Sequence, residues 1–357
     1  LQNNRINVLR NKMKENNLDG FLINSKANQY YLSGFTGSYG QVLITQTGQY
    51  VIADGRYFEQ LKTQSPEFTV VDNHMRMNET VRDLVLKQNC KNLGIEEEEM
   101  DVAEYLTLTN GNNLIHLLPT RDWIEGQRMV KDTEERDKIR EAGKIADATF
   151  QHILNYIEPG MTEKQVANEI DQWGLDHGAD ARSFETIVAS GIRSALPHGH
   201  ASNKIIGTNE MIILDFGFEK DRYFSDITRT IALGHVDPEL KQIYDVTQTA
   251  QKKAIQASHE GVPLKELDRA ARDYIDDAGY GDKFLHGTGH GLGLTVHEYP
   301  LLNRDSTETL TKHMTYTVEP GIYLEGIGGV RIEDDVWIND QGEPELMTQS
   351  PLNMIEI

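Results

Sequence analysis

The chain of 357 residues carries 35 Lys and Arg against 56 Asp and Glu, a formal net charge of −21, and a single cysteine, Cys90. Its length predicts two domains with chain enough for two cores, and the acidic balance argues against nucleic acid and anionic membrane surfaces as partners, since both would repel it. One cysteine excludes an intrachain disulfide framework and suits a reducing, cytoplasmic setting. The longest apolar runs fall far short of the roughly 18 residues that span a bilayer, and the opening LQNNRINVLRNKMKENN reads as a polar helix without a signal peptide's apolar core.

Short apolar runs predict strands at FLI (21–23), QVLIT (41–45), YVIAD (50–54), FTVV (68–71), NLGI (92–95) and NLIHLL (113–118). Helix-like stretches alternate with them: SKANQYYLSGF, RYFEQLKTQ, NETVRDLVLKQ and DVAEYLTLTN, several opening on a Ser, Asn or Asp cap. Residues 1–125 therefore read as an α/β domain. SGFTGSYG (33–40) lacks the lysine of a phosphate-binding loop and reads as a turn, and Asp54 with Arg56 reads as a local ion pair.

The charged run DWIEGQRMVKDTEERDKIREAGK opens a long helix, and the domain boundary falls near residue 125, leaving 126–357 as a second domain. That domain contains a weak repeat. EPGMTEKQVANEIDQWGLDHG (158–178) aligns without a gap on HEGVPLKELDRAARDYIDDAG (259–279), Gly160 and Gly178 matching Gly261 and Gly279. Each copy predicts a helix closed by a C-cap glycine. Each is followed by a hairpin with two acidic residues, so the two halves should pack about a pseudo-two-fold axis with the acids facing inward.

In the first hairpin a turn centred between Lys220 and Asp221 would set Asp215 directly opposite Asp226, about 4.5–5.5 Å apart at Cβ, where like charges repel. A positive group is expected between them. In the second hairpin a turn at EGIGG brings Glu319 near Glu333, and strict alternation places Arg331, Glu333 and Asp335 on one face. HGTGHGLGLTVHE (286–298) sets three histidines among glycines, and LPHGHAS (196–202) adds a histidine pair. Four carboxylates and a histidine make a donor set of oxygen with one nitrogen, which suits two divalent ions, Mn²⁺ before Zn²⁺ or Co²⁺.

LDFG…SDITRT, HGTGHGLGLTVHE, TVEPGIY and VRIEDD, in that order, resemble the pita-bread metallopeptidases, specifically the Xaa-Pro dipeptidase (prolidase) and aminopeptidase P group. YLSGFTGS and GRY extend the resemblance into the first domain, so it covers the whole chain. It implies a creatinase/prolidase-like α/β N-terminal domain and an α+β pita-bread catalytic domain. By the same resemblance Asp215 holds one metal, His290 and Glu319 hold the other, and Asp226 and Glu333 bridge both. His198 and His297 contact substrate, Glu319 takes the proton of the attacking water, and His200, having no counterpart, reads as a surface residue. The implied substrates are small peptides with proline second, cleaved by a homodimer.

Three other readings compete. Methionine aminopeptidases share the five ligands but resemble the second domain alone. Creatinase-like hydrolases and non-catalytic binding relatives lose ligands that this chain keeps. Leu301 stands where some prolidase relatives place an arginine, which leaves Arg304 as the nearest guanidinium for a proline carboxylate.

Overall fold

The structure, a computed structural model, describes residues 2–109 and 114–357. Asn110 and Asn113, which the sequence pattern assigned to a helix end and to the sixth strand, lie outside the described residues. The chain divides into two compact units, Leu1–Arg128 and Met129–Ile357. Among the described residues no helix is long and apolar enough to cross a membrane.

In the first unit six strands form one mixed sheet in the order Thr69–Asp72, Gln49–Ala53, Gln41–Thr45, Gly20–Ile23, Asn92–Glu96, His116–Thr120. All six fall where apolar runs predict them, with ends shifted by up to three residues. Leu22, Leu43, Ile52, Leu93 and Ile95 pack beneath Val81, Leu84 and Val85 of the helix Met77–Lys87, so the apolar stripe of that helix covers the sheet. Asp54 caps the turn at Arg56 and pairs with its guanidinium at 2.7 Å, the local ion pair expected.

In the second unit the repeat is structural. Glu163–Asp176 and Leu264–Asp277 are both fourteen-residue helices. The flanking Gly160, Gly178, Gly261 and Gly279 have φ between +88° and +109°, and a Cβ on any of them would touch nothing. These glycines are required for their left-handed backbone, not for space. A long helix precedes each copy, Thr133–Tyr156 and Pro238–Gln256. Strands follow each: Ile187–Ser190, Glu210–Phe216 and Ile227–Leu233 in the first half, Thr315–Val318 paired with Asp334–Ile338 in the second.

The first hairpin corrects the expected register. Asp215 lies opposite Thr228, not Asp226. The turn is centred between Asp221 and Arg222, whose φ values of 49° and 72° let Lys220 pair directly with Tyr223. Two successive left-handed residues close the hairpins whose twist matches the strands. The partner of Asp215 moves by two positions, so Asp226 becomes its diagonal neighbour on the same face. The second hairpin keeps the expected register: Val318 pairs with Asp334 and Gly321 with Arg331, which sets Glu319 across from Glu333.

The hairpins join where Glu333 N donates to Thr228 O at 3.1 Å and Thr228 Oγ1 donates to Glu333 Oε2 at 2.5 Å. Behind this junction lies Arg229, 1% exposed. Its guanidinium donates to Asp334 Oδ1 at 2.6 Å, to the carbonyls of Ser350 and Pro351 at 2.7 and 3.0 Å, and to the carbonyls of both Thr228 and Glu333. Asp334 also accepts from Thr348 Oγ1 and Gln251 Nε2. Arg229→Met should therefore lower unfolding free energy by about 3–5 kcal/mol, the cost of leaving a buried carboxylate unpaired. Urea unfolding checks this, and a change below about 1 kcal/mol would show that the pair does not hold the hairpins together.

Candidate metal centre

The two hairpins and the strand Gly289–Gly291 converge on one buried point. Ligand atoms of Asp226, His290 and Glu333 lie within 4.8 Å of one another. His290 Nε2 is 3.3 Å from Glu319 Oε1 and 3.7 Å from Asp226 Oδ2. Asp215 reaches the same cavity from the end of its strand. The other nitrogen of His290, Nδ1, donates to Gly291 O at 3.1 Å. That bond settles the tautomer and leaves the Nε2 lone pair facing the carboxylates, the arrangement of a metal-ligating imidazole.

The electrostatics ask for a cation. Burial, and then the neighbouring carboxylates, push Asp226 and Glu333 well above the ordinary carboxylate range. Burial also raises Glu319 and lowers His290. Asp215 Oδ1 and Asp226 Oδ1 are buried without a hydrogen-bond partner, although buried polar atoms are as a rule partnered. An oxygen-rich set with one imidazole and two orphaned oxygens fits divalent ions.

Arg331 supplies the one guanidinium among the described residues lining the cavity. Its Nη2 lies 2.5 Å from Asp215 Oδ2, its Nε donates to Thr228 Oγ1 at 3.2 Å, and its Nη1 donates to Tyr323 Oη at 2.9 Å and Pro197 O at 3.1 Å. The expected common face holds in effect: Arg331 reaches Asp215, Glu333 reaches Thr228, and Asp335 accepts from Asp226 N at 3.0 Å.

The cavity has a volume of about 460 Å³. His198 and His297 stand exposed on its wall, with the His297 ring 4.2 Å from that of His290. His200 is exposed as expected but lines the mouth as well, its Nδ1 3.6 Å from Glu185 Oε2. Phe184, Ile187, Pro197 and Leu301 give the wall its apolar part. Arg304 does not line this cavity. The loop turns after Asn303, and Arg304 faces a separate groove along the 264–277 helix with Lys265 and Arg269, so it is not placed to meet a substrate here.

Two further residues of the site had no role assigned from the sequence, although one of them, His286, is the first of the three histidines in the 286–298 motif. His286 lines the cavity, its Nδ1 donating to Gly287 O and its Nε2 accepting from Tyr323 Oη, both at 2.8 Å. Tyr323 links it to Arg331. Both residues sit inside recognised motifs, which was the available clue.

Comparison with known proteins agrees with this geometry. Residues 5–130 match the creatinase/prolidase N-terminal domain and residues 137–340 match metallopeptidase family M24. An uncharacterized peptidase, YqhT, of Bacillus subtilis (strain 168) is 42% identical over 351 residues, 98% of this chain and 99% of its own. The solved Xaa-Pro dipeptidase from Bacillus anthracis superposes with a TM-score of 0.97 at 39% identity, covering 100% of both chains. The X-Pro aminopeptidase from Thermotoga maritima superposes at 0.88 with 35% identity, covering 97% of this chain and 100% of its own. Two hairpins that bring Asp226, His290 and Glu333 together thus sit in a chain that belongs to metallopeptidase family M24, with a creatinase/prolidase N-terminal domain before the catalytic one.

Proposed function

We propose that the chain is a metal-dependent exopeptidase that hydrolyses the bond between an N-terminal residue and proline, in Xaa-Pro dipeptides and in longer peptides. The observation that carries the reading is the buried convergence of Asp226, His290 and Glu333 beside two carboxylate oxygens that lack partners. In this reading Asp215 holds one ion, His290 and Glu319 hold the second, and Asp226 and Glu333 serve both. The oxygen-rich set favours Mn²⁺ over Zn²⁺ or Co²⁺. Two such ions, when bound, lower the pKa of a coordinated water toward neutrality and polarise a carbonyl.

The chain's own groups do the rest. Glu319 takes the proton of the attacking water and delivers it to the proline nitrogen. That nitrogen is tertiary in an Xaa-Pro bond and carries no hydrogen, so it leaves only once protonated. His297, lowered first by desolvation where its ring lies against the wall and next by the adjacent His290, presents an N–H donor to the developing oxyanion. His198, on the wall of the same cavity, contacts the substrate. Arg331 orients Asp215.

The assignment takes residues 1–125 as N-terminal domain and 126–357 as catalytic domain. The match of the first to a creatinase/prolidase domain favours the Xaa-Pro group over methionine aminopeptidases. A homodimer and a cytoplasmic setting belong to the same proposal; for the setting, the support is that the one cysteine, Cys90, is buried, with its thiol pushed up to about 11 by that burial. The substrate part is tested by comparing Xaa-Pro, Xaa-Pro-Yaa and Xaa-Ala-Yaa in Mn²⁺. The proline peptides should be cleaved and the alanine peptide spared, whereas equal rates on both series would reject the assignment.

A further inference from the structure

The segment that carries His286 and His290 is punctuated by Gly287, Gly289 and Gly291, and each is there for space. A Cβ on Gly289 would come within 1.9 Å of Thr317 O, one on Gly291 within 2.2 Å of Tyr299 O, and one on Gly287 within 2.9 Å of Leu302 O. Glycine permits this close approach, but it leaves the segment with more freedom to lose and few side chains to anchor it. The anchor must come from outside.

The helix Leu264–Asp277 supplies it. Asp268, 1% exposed, pairs bidentately with Arg272, Nε to Oδ2 and Nη2 to Oδ1, both at 2.9 Å. Arg272 uses its remaining donor capacity on the glycine-rich segment: Nη1 donates to Phe284 O at 3.2 Å and Nη2 to His286 O at 2.7 Å, while the guanidinium lies 4.0 Å over the Phe284 ring. Asp268 Oδ1 also accepts from Thr288 N at 3.2 Å and Thr288 Oγ1 at 2.8 Å. Thr288 O in turn accepts from Glu319 N at 2.7 Å. One ion pair therefore grips residues 284, 286 and 288, every second residue on the approach to His290, and through Thr288 it sets the backbone of Glu319.

We propose that Asp268 and Arg272 are positioning residues for the half of the metal centre formed by His290 and Glu319, an inference that rests on the metallopeptidase reading above. An ion pair four residues apart on a helix ordinarily contributes a few tenths of a kcal/mol at the surface. Arg269 and Asp273 on the same helix make such a pair, 3.2 Å apart with side chains 67% and 65% exposed. Asp268 differs in being buried and in bonding a neighbouring segment instead of solvent. Removal of an outer partner of a metal ligand typically costs about 10–100-fold in metal affinity, and here the loss should fall on one ion of two, because the contacts run to the His290 segment and Glu319 and not to Asp215.

The test is calorimetric titration of the full chain, stripped by chelator, with Mn²⁺. The parent should take up two equivalents. Arg272→Met should bind one of them about 10–100-fold more weakly and the other as the parent does, and Arg269→Met should match the parent in both. Thr288→Val keeps the ion pair and removes one donor, so it should show the same asymmetry in smaller measure, and Thr288→Ser should restore the parent's affinities; this series decides the matter should Arg272→Met fail to fold. Equal weakening of both equivalents, or no weakening of either, overturns the positioning role. A parent that binds no Mn²⁺ overturns the metallopeptidase reading itself, and this inference with it.

Discussion

Asp226→Asn is expected to remove almost all peptidase activity while raising the thermal midpoint of the metal-stripped protein. The carboxylate is buried between Glu333, Asp215 and Asp335, whose charges add to the cost of its own burial. In the metal-free protein the folded pKa of Asp226 lies above its unfolded value. The penalty is therefore absent below about pH 4, the unfolded carboxylate range, and grows as pH rises through the folded value. The metal-stripped parent should accordingly lose stability from mild acid toward neutrality, and Asp226→Asn should lose less of it. Metal affinity should fall by more than the roughly 10–100-fold that an outer partner costs, since in this account Asp226 serves both ions. Thermal melts across pH, with and without Mn²⁺, check both halves; a variant less stable than the parent when stripped at neutral pH would contradict the repulsion argument.

His297→Ala should leave metal content near that of the parent and lower kcat by about 10²–10³, the loss that follows removal of one transition-state donor. The separation is possible because His297 stands exposed on the cavity wall beside His290, outside the buried group of Asp226, His290 and Glu333. Steady-state kinetics and metal analysis on the same preparation decide the point. A rise in KM with kcat unchanged would make His297 a binding residue alone.

Much of this arrangement was legible in the sequence because its parts are local. The repeat shows itself through four glycines whose positive φ values admit little else, and the acidic residues fall on strand patterns that a period of two makes readable. The register of the first hairpin was not legible. Its turn residues, Asp221 and Arg222, adopt left-handed backbone without the Asn or Gly that would announce it. The supporting pairs were hidden for a different reason. Arg229 meets Asp334 across the junction of the two hairpins, a contact that local pattern does not encode. Asp268 and Arg272 look in sequence like any solvated helix pair, and only burial against Thr288 and His286 O distinguishes them. Arg304 illustrates the converse: its place in the chain suggested the substrate cavity, and the turn of the loop directly after Asn303 carries it to another groove.

Metal-dependent cleavage of an Xaa-Pro bond is the central claim. The measurement is kcat/KM on one Xaa-Pro-Yaa peptide, made with protein stripped by chelator and again after Mn²⁺ is returned. The stripped protein should be inactive, and Mn²⁺ should restore turnover as the second equivalent binds. Undiminished cleavage by protein verified to be free of metal would contradict the account.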